Sequence, residues 1–220
     1  MSQLQAWSYS RLTSYETCPR RYYGISVAKT LVEEPSEAMQ SGNDLHKAFE
    51  LYLKRGTMLP LHLRHYGPIL SKIAAAPGEK IVEQQIALNA KWEPVEWFAK
   101  DTWLRVKSDL TQLNGPAAIC WDWKTGRPSQ DFTQLRLNAA VTFHLAPEVN
   151  SISMAYLWTK TKLVDTKQIL RSEVPAVWSE ILPRVEKYQK AHQEMAFPAR
   201  QNYFCKGCPD KSCPFWEKKK

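Results

Sequence analysis

Ile119-Cys120-Trp121-Asp122-Trp123-Lys124-Thr125-Gly126 is the stretch on which the fold turns. In an extended chain, residues i and i+2 share a face. Asp122 and Lys124 then point together with Cys120 behind them, and Trp121 and Trp123 pack on the opposite face. Thr125-Gly126 ends the strand and leaves both charged groups near its rim. A carboxylate suits a hard divalent cation. An ammonium two residues on can orient a water and offset charge developing on a phosphate, the combination that phosphodiester hydrolysis needs. Asp-x-Lys alone is a weak signal, for which a surface salt bridge at a strand end is the simpler account.

The neighbouring segments strengthen it. Residues 102–112 read as a preceding strand, joined to 117–123 through the turn signal Asn114-Gly115. Such a hairpin brings Asp109 towards Asp122, and two close carboxylates repel unless a cation neutralises them. Upstream, residues 37–55 carry Leu45, Phe49 and Leu53 at spacing four, the stripe of a core-facing helix. His46 lies on that helix in Gly42-Asn43-Asp44-Leu45-His46, and Gly42 suggests close approach by another chain segment. A neutral imidazole would add a ligand that favours Mn²⁺ as well as Mg²⁺. Taken alone, His46 reads more simply as a helix histidine without a metal. Glu83 falls on a period-two segment that begins at Glu79 and reads as an exposed strand carboxylate, with support of the site from behind as the alternative.

Elsewhere, residues 10–23 read as short helical pieces broken at Pro19, and a helix starts at Pro68 and stops near Pro77-Gly78. Residues 132–145 read as a helix, 151–160 and 167–170 as a final hairpin, and 174–195 as a long amphipathic helix interrupted near Pro183. This order predicts an α/β (mixed α+β) fold, a central mixed sheet flanked by helices. With 220 residues and no internal repeat or linker, one domain over 1–220 is expected.

The formal charge is +8, with Lys218-Lys219-Lys220 supplying three of those charges, and the pI is about 9.2. Excess positive charge points to a polyanionic partner, nucleic acid above all, or to a solubility surface. No stretch approaches about 18 apolar residues, so no membrane span is expected. The start MSQLQAWSYS lacks the basic and apolar runs of a signal peptide, so the protein is expected to stay in the cytoplasm.

Five cysteines without an export signal favour metal binding over disulfides. Cys205-x2-Cys208-x4-Cys213 is a compact set that needs a fourth ligand. Cys18, in Thr17-Cys18-Pro19-Arg20-Arg21-Tyr22-Tyr23, is the candidate; Cys120 is better explained as a buried cysteine of a core strand. Four thiolates suit zinc or an iron–sulfur cluster.

Gly42-x3-His46 on a helix, Asp109 on a strand, Asp122-x-Lys124-Thr125-Gly126, and then a helix with the early Gln134 together resemble the RecB-like nucleases of the PD-(D/E)xK superfamily over nearly the whole chain. The resemblance implies a restriction-endonuclease-like core and a metal-dependent DNA nuclease, an exonuclease on single strands or DNA ends. It implies that His46, Asp109, Asp122 and the Trp123 carbonyl hold Mg²⁺ or Mn²⁺, with Lys124 as the catalytic lysine. Gln134 matches the start of the family's Q-x3-Y motif, which helps position substrate; Asn138 stands at its tyrosine position, and Leu110 follows Asp109 where many relatives carry arginine. One cysteine before the nuclease core and three after it resemble the CRISPR-associated and AddB-like branches. That implies a [4Fe-4S] cluster, with Zn²⁺ as the alternative, formed by segments 1–30 and 196–220 and joining the termini. Recombination, repair or spacer acquisition would be the setting, as a homo-oligomer or as part of a complex.

Arg20, Arg21, Tyr22 and Tyr23 read equally as a single-strand binding patch, with arginines on phosphates and rings on bases, or as packing around the cluster. His62 and His65 read as a surface pair, and His144 and His192 as helix residues without a chemical task. No GxxxxGK[ST] loop is present, which argues against ATP-driven translocation. A non-catalytic DNA-binding module and a zinc-stabilised binding protein are the competing readings.

Overall fold

The computed structural model describes residues 4–217, so Lys218-Lys219-Lys220 lie outside it. In chain order the main elements are α1 (Tyr9–Thr17), α2 (Pro19–Tyr22), α3 (Glu37–Arg55), α4 (Gly67–Ala75), β1 (Glu79–Asn89), β2 (Pro94–Val95), β3 (Thr102–Asn114), β4 (Ala117–Lys124), α5 (Thr133–Leu145), β5 (Ser151–Trp158), β6 (Leu163–Leu170) and α6 (Val174–Glu194). The six strands form one mixed sheet in the order β2-β1-β3-β4-β5-β6. The fold is mixed α/β, as the sequence predicts. By contact the chain divides into two compact units, Pro35–Ile86 with Val106–Val177, and Met1–Glu34 with Ala87–Arg105 and Trp178–Lys220.

In the first of these units, α3 begins where the Ser36 side chain accepts the Met39 N–H and ends at Gly56, whose φ is 65°. A left-handed residue closes a helix without strain when it is glycine. The apolar stripe of α3 joins a buried core with Leu70 and Ile73 of α4, Val82, Leu110, Trp123 and Leu157. Removing that apolar surface from water is what ties the helices to the sheet. β3 and β4 are antiparallel through the Asn114-Gly115 turn, with Leu110 opposite Trp121. β4 and β5 are parallel, which demands a crossover. α5 supplies it and is buried from Leu137 to Phe143, so it shows little of the two-sided character of a surface helix. β5 and β6 form the final hairpin, antiparallel along their full length; its second strand starts at Leu163, earlier than the sequence indicates.

In the other unit, α1 is capped by Ser8, and Arg184 grips Glu16 with two bonds of 2.8 Å each. α6 runs through Pro183, where the sequence suggests a break. A proline inside a helix costs about 3 kcal/mol. Ile181, Val185 and Tyr188 flank Pro183 as one buried stripe, and their burial outweighs that penalty.

The sequence leaves Tyr22 open between stacking on bases and packing in the interior, and the structure buries it. Its side chain is 1% exposed, and its hydroxyl lies 2.5 Å from that of Tyr188 and 3.0 Å from His192 Nε2. Tyr15 and Phe197 pack on the same ring. Tyr22 therefore has no open face for a base and serves as core, not as a stacking residue.

Candidate active site

One cleft in the unit of Pro35–Ile86 and Val106–Val177 is lined by His46, Glu83, Lys107, Asp109, Asp122, Trp123, Lys124 and Gln134. It measures about 610 Å³. The α3 helix brings His46 to the end of β4: its Nε2 lies 2.9 Å from the Trp123 carbonyl oxygen. Its Nδ1 lies 3.2 Å from Asp109 Oδ1. Gly42, one turn earlier, faces the rim of β4, and a Cβ there would stand 3.4 Å from Thr125 Oγ1, in ordinary van der Waals contact. That leaves room for a methyl group and nothing larger. Gly42→Ala is expected to raise stability by up to about 1 kcal/mol, whereas Gly42→Leu should disturb Thr125 and the β4 rim. Chemical denaturation of the two variants reads the difference.

Asp109 Oδ2 accepts the Trp123 backbone N–H at 2.7 Å, which fixes the carboxylate across the β3–β4 ladder. Asp122 is 6% exposed, and its Oδ2 sits 2.5 Å from Lys124 Nζ. That oxygen accepts no aligned hydrogen bond among the described residues. Burial first, and the charge of Asp109 second, push the Asp122 carboxyl well above the usual carboxylate range, against the pull of Lys124. Burial opposes charge on His46, but the Asp109 hydrogen bond and the charges of Asp109, Asp122 and Glu83 outweigh it, so its pKa is raised. The Lys124 ammonium also donates to Gln134 Oε1 at 2.9 Å and lies 5.4 Å from the Tyr156 ring centroid. Gln134 therefore holds the lysine, and its amide oxygen is already engaged.

Donor atoms of His46, Glu83 and Asp109 lie within 4.8 Å of one another. The sequence suggests Glu83 as an exposed strand carboxylate, but its side chain is 11% exposed and faces the cleft. Its φ of 54° is left-handed, so the residue interrupts the alternation of β1. No sequence signal marks that torsion, since glutamate seldom adopts it. Imidazole plus carboxylates is a donor set for Mg²⁺ or Mn²⁺, and the repelling Asp109–Asp122 pair with its unaligned buried oxygen fits a cation.

Asn138 is buried and donates to the Lys107 carbonyl at 3.3 Å, which makes it a brace between α5 and β3. His65 lies against Tyr66. Cys120 is enclosed, its thiol pushed up to about 11 by burial, in keeping with a core residue.

In the other unit, Cys18, Cys205, Cys208 and Cys213 line one pocket with Arg20, Arg21, Arg200 and Asp210. Arg20 pairs with Asp210 at 2.6 Å and Arg21 with Glu33. The Arg20 guanidinium holds the Asp210 carboxyl below its ordinary range. The Asn202 N–H points at Cys205 Sγ, 3.4 Å away, and the same sulfur lies 3.9 Å from the Arg200 carbonyl oxygen. Among the described residues no three thiols converge within 4.8 Å.

A model of the PD-(D/E)XK nuclease superfamily matches residues 6–214, and the chain belongs to that superfamily. No curated protein matches the sequence. Among solved structures, the crystal structure of SSO0001 is similar at 13% identity over 99% of this chain and 90% of that one, with a TM-score of 0.43. A crystal structure described as a "Putative exonuclease" from Eubacterium rectale is similar at 14% identity over 84% of this chain and 82% of that one, with a TM-score of 0.45. No helix among the described residues is long and apolar enough to cross a membrane.

Proposed function

We propose that the protein is a metal-dependent DNA exonuclease acting on single strands or DNA ends. The observation that carries this reading is the grouping of His46, Asp109, Asp122 and Lys124 in one cleft, on a chain whose family is nucleolytic. His46, Asp109, Asp122 and the Trp123 carbonyl are the ligands, and Glu83 adds a carboxylate that the sequence reading set aside. Mg²⁺ or Mn²⁺ held there supplies a Lewis acid for the phosphate and the attacking water. Lys124, steadied by Asp122 and Gln134, orients that water and offsets charge on the phosphate as it develops. Arg20 and Arg21 are placed as phosphate contacts or as charge balance for the cysteine centre, and the second role fits their carboxylate partners better.

The four cysteines are proposed to hold a [4Fe-4S] cluster. A single tetrahedral zinc with Zn–S bonds of about 2.3 Å draws its sulfurs to about 3.8 Å of each other. A four-iron cube gives each thiolate its own iron. Four thiolates lining one pocket suit either group, and the resemblance of one cysteine before the nuclease core and three after it to the cluster-bearing branches is what favours the cluster. Recombination, repair or spacer acquisition in the cytoplasm is the proposed setting, with DNA as the partner.

The test is cleavage of end-labelled single- and double-stranded DNA by cluster-loaded protein in Mn²⁺ or Mg²⁺, with EDTA as control. Metal-dependent shortening from one labelled end supports the exonuclease and gives its polarity. Intact substrate under all metals, with DNA still retarded on a gel, would support the binding module instead.

The raised Asp122 carboxyl has a separate consequence. Its folded pKa lies above the ordinary 3.8, so the folded state holds the proton more tightly. Its contribution to stability is favourable at low pH and is lost as pH rises from that value through the raised one. In EDTA at pH 8, Asp122→Asn should therefore melt at a higher temperature than wild type, and the gain should vanish below the ordinary carboxylate value. The same variant should lose nuclease activity.

A further inference from the structure

Glu83 is placed by its own backbone. A φ of 54° at a non-glycine residue persists only where the surrounding strand holds it. That torsion turns the carboxylate towards His46 and Asp109, with donor atoms within 4.8 Å. On the other flank of Glu83, Lys107 Nζ lies 2.6 Å from Oε2. Lys107 reaches over from β3, two residues before Asp109 and so on the same face, and its side chain is 54% exposed. One carboxylate thus stands between a lysine ammonium and a donor set for a divalent cation. The backbone already orients Glu83, so what Lys107 adds is charge. Two cations drawn to one carboxylate disfavour each other. Four carboxylates, Glu50, Glu83, Asp109 and Asp122, line this cleft. Glu50 is already paired with Lys47 and Lys54, and the other three, without counter-charge, oppose folding.

We propose that Lys107 is a placeholder cation: it neutralises Glu83 as the site folds, competes with the divalent metal for that carboxylate, and is displaced into the cleft when the metal takes it. The measured metal affinity is then lower than the donors alone would give. This rests on the metal reading of the cleft.

The test is a Mn²⁺ titration of EDTA-stripped, cluster-loaded wild type, Lys107→Met and Lys107→Arg, following the free Mn²⁺ signal by electron paramagnetic resonance. Lys107→Gln serves as a second neutral variant. Melting of each protein is recorded before and after Mn²⁺. The neutral variants should bind Mn²⁺ about tenfold more tightly or better, while Lys107→Arg keeps wild-type affinity. Metal-free Lys107→Met should melt below wild type, and Mn²⁺ should close or reverse that gap; a lysine that merely packs would lower both melting points alike. Equal or weaker Mn²⁺ binding by the neutral variants overturns the proposal and leaves the metal site standing. Failure of every form, wild type included, to bind Mn²⁺ at millimolar concentration overturns the metal reading and the proposal together.

Discussion

Replacing Lys124 with alanine is expected to lower the rate of DNA cleavage by about 10²–10⁴-fold with little change in DNA affinity. The ammonium touches Asp122 and Gln134 and sits at the rim of β4, where a phosphate can reach it. Its contribution belongs to the transition state, so kcat should fall and KM should hold. Removal also leaves Asp122 without its countercharge, so the variant's melting point is to be measured alongside. A folded Lys124→Ala protein that cuts DNA at the wild-type rate would remove the lysine from the mechanism. Gln134→Ala should give a smaller loss of the same kind, because it frees the lysine without deleting it.

The second large effect is expected at the cysteine centre. If the four cysteines that share one pocket hold the proposed cluster, Cys18→Ser removes the ligand that precedes the nuclease core, and with it the link to the Cys205, Cys208 and Cys213 segment. For a closed loop approaching 190 residues, the chain-entropy rule for cross-links gives about 5 kcal/mol. In a protein of this size that corresponds to a fall in melting temperature on the order of 10–20 °C. Anaerobically purified wild type should be brown, with broad visible absorbance, and Cys18→Ser should be pale and unstable. Cys120→Ala, enclosed in β4, should keep its colour. A colourless wild type carrying one zinc per chain would replace the iron–sulfur reading with the zinc one.

Much of this site was legible in the sequence because strand geometry is simple. The i, i+2 spacing of Asp122 and Lys124 and the Asn114-Gly115 turn suffice to bring Asp109 to their side. The helical stripe of Leu45 and Phe49 sets which way α3 faces, and with it His46. Glu83 was hidden because a single left-handed residue reverses the face on which a strand side chain appears, and no residue-type rule marks it. Tyr22 was open to misreading because an arginine-rich, aromatic segment looks alike on a surface and around a core. The helix through Pro183 shows the same limit, since local preference was overruled by packing partners remote in sequence.

The segment between Lys124 and α5 is short and, from Gly126 to Asp131, exposed. It is also the direct covalent tether between the lysine and the glutamine that steadies it. β4 is held by its strand neighbours on both sides and α5 by its burial, so neither depends on that tether to stay folded. A protease recognition sequence inserted over 127–130 therefore offers a conditional off-switch, a cut that leaves the scaffold assembled while slackening the alignment of its chemical groups.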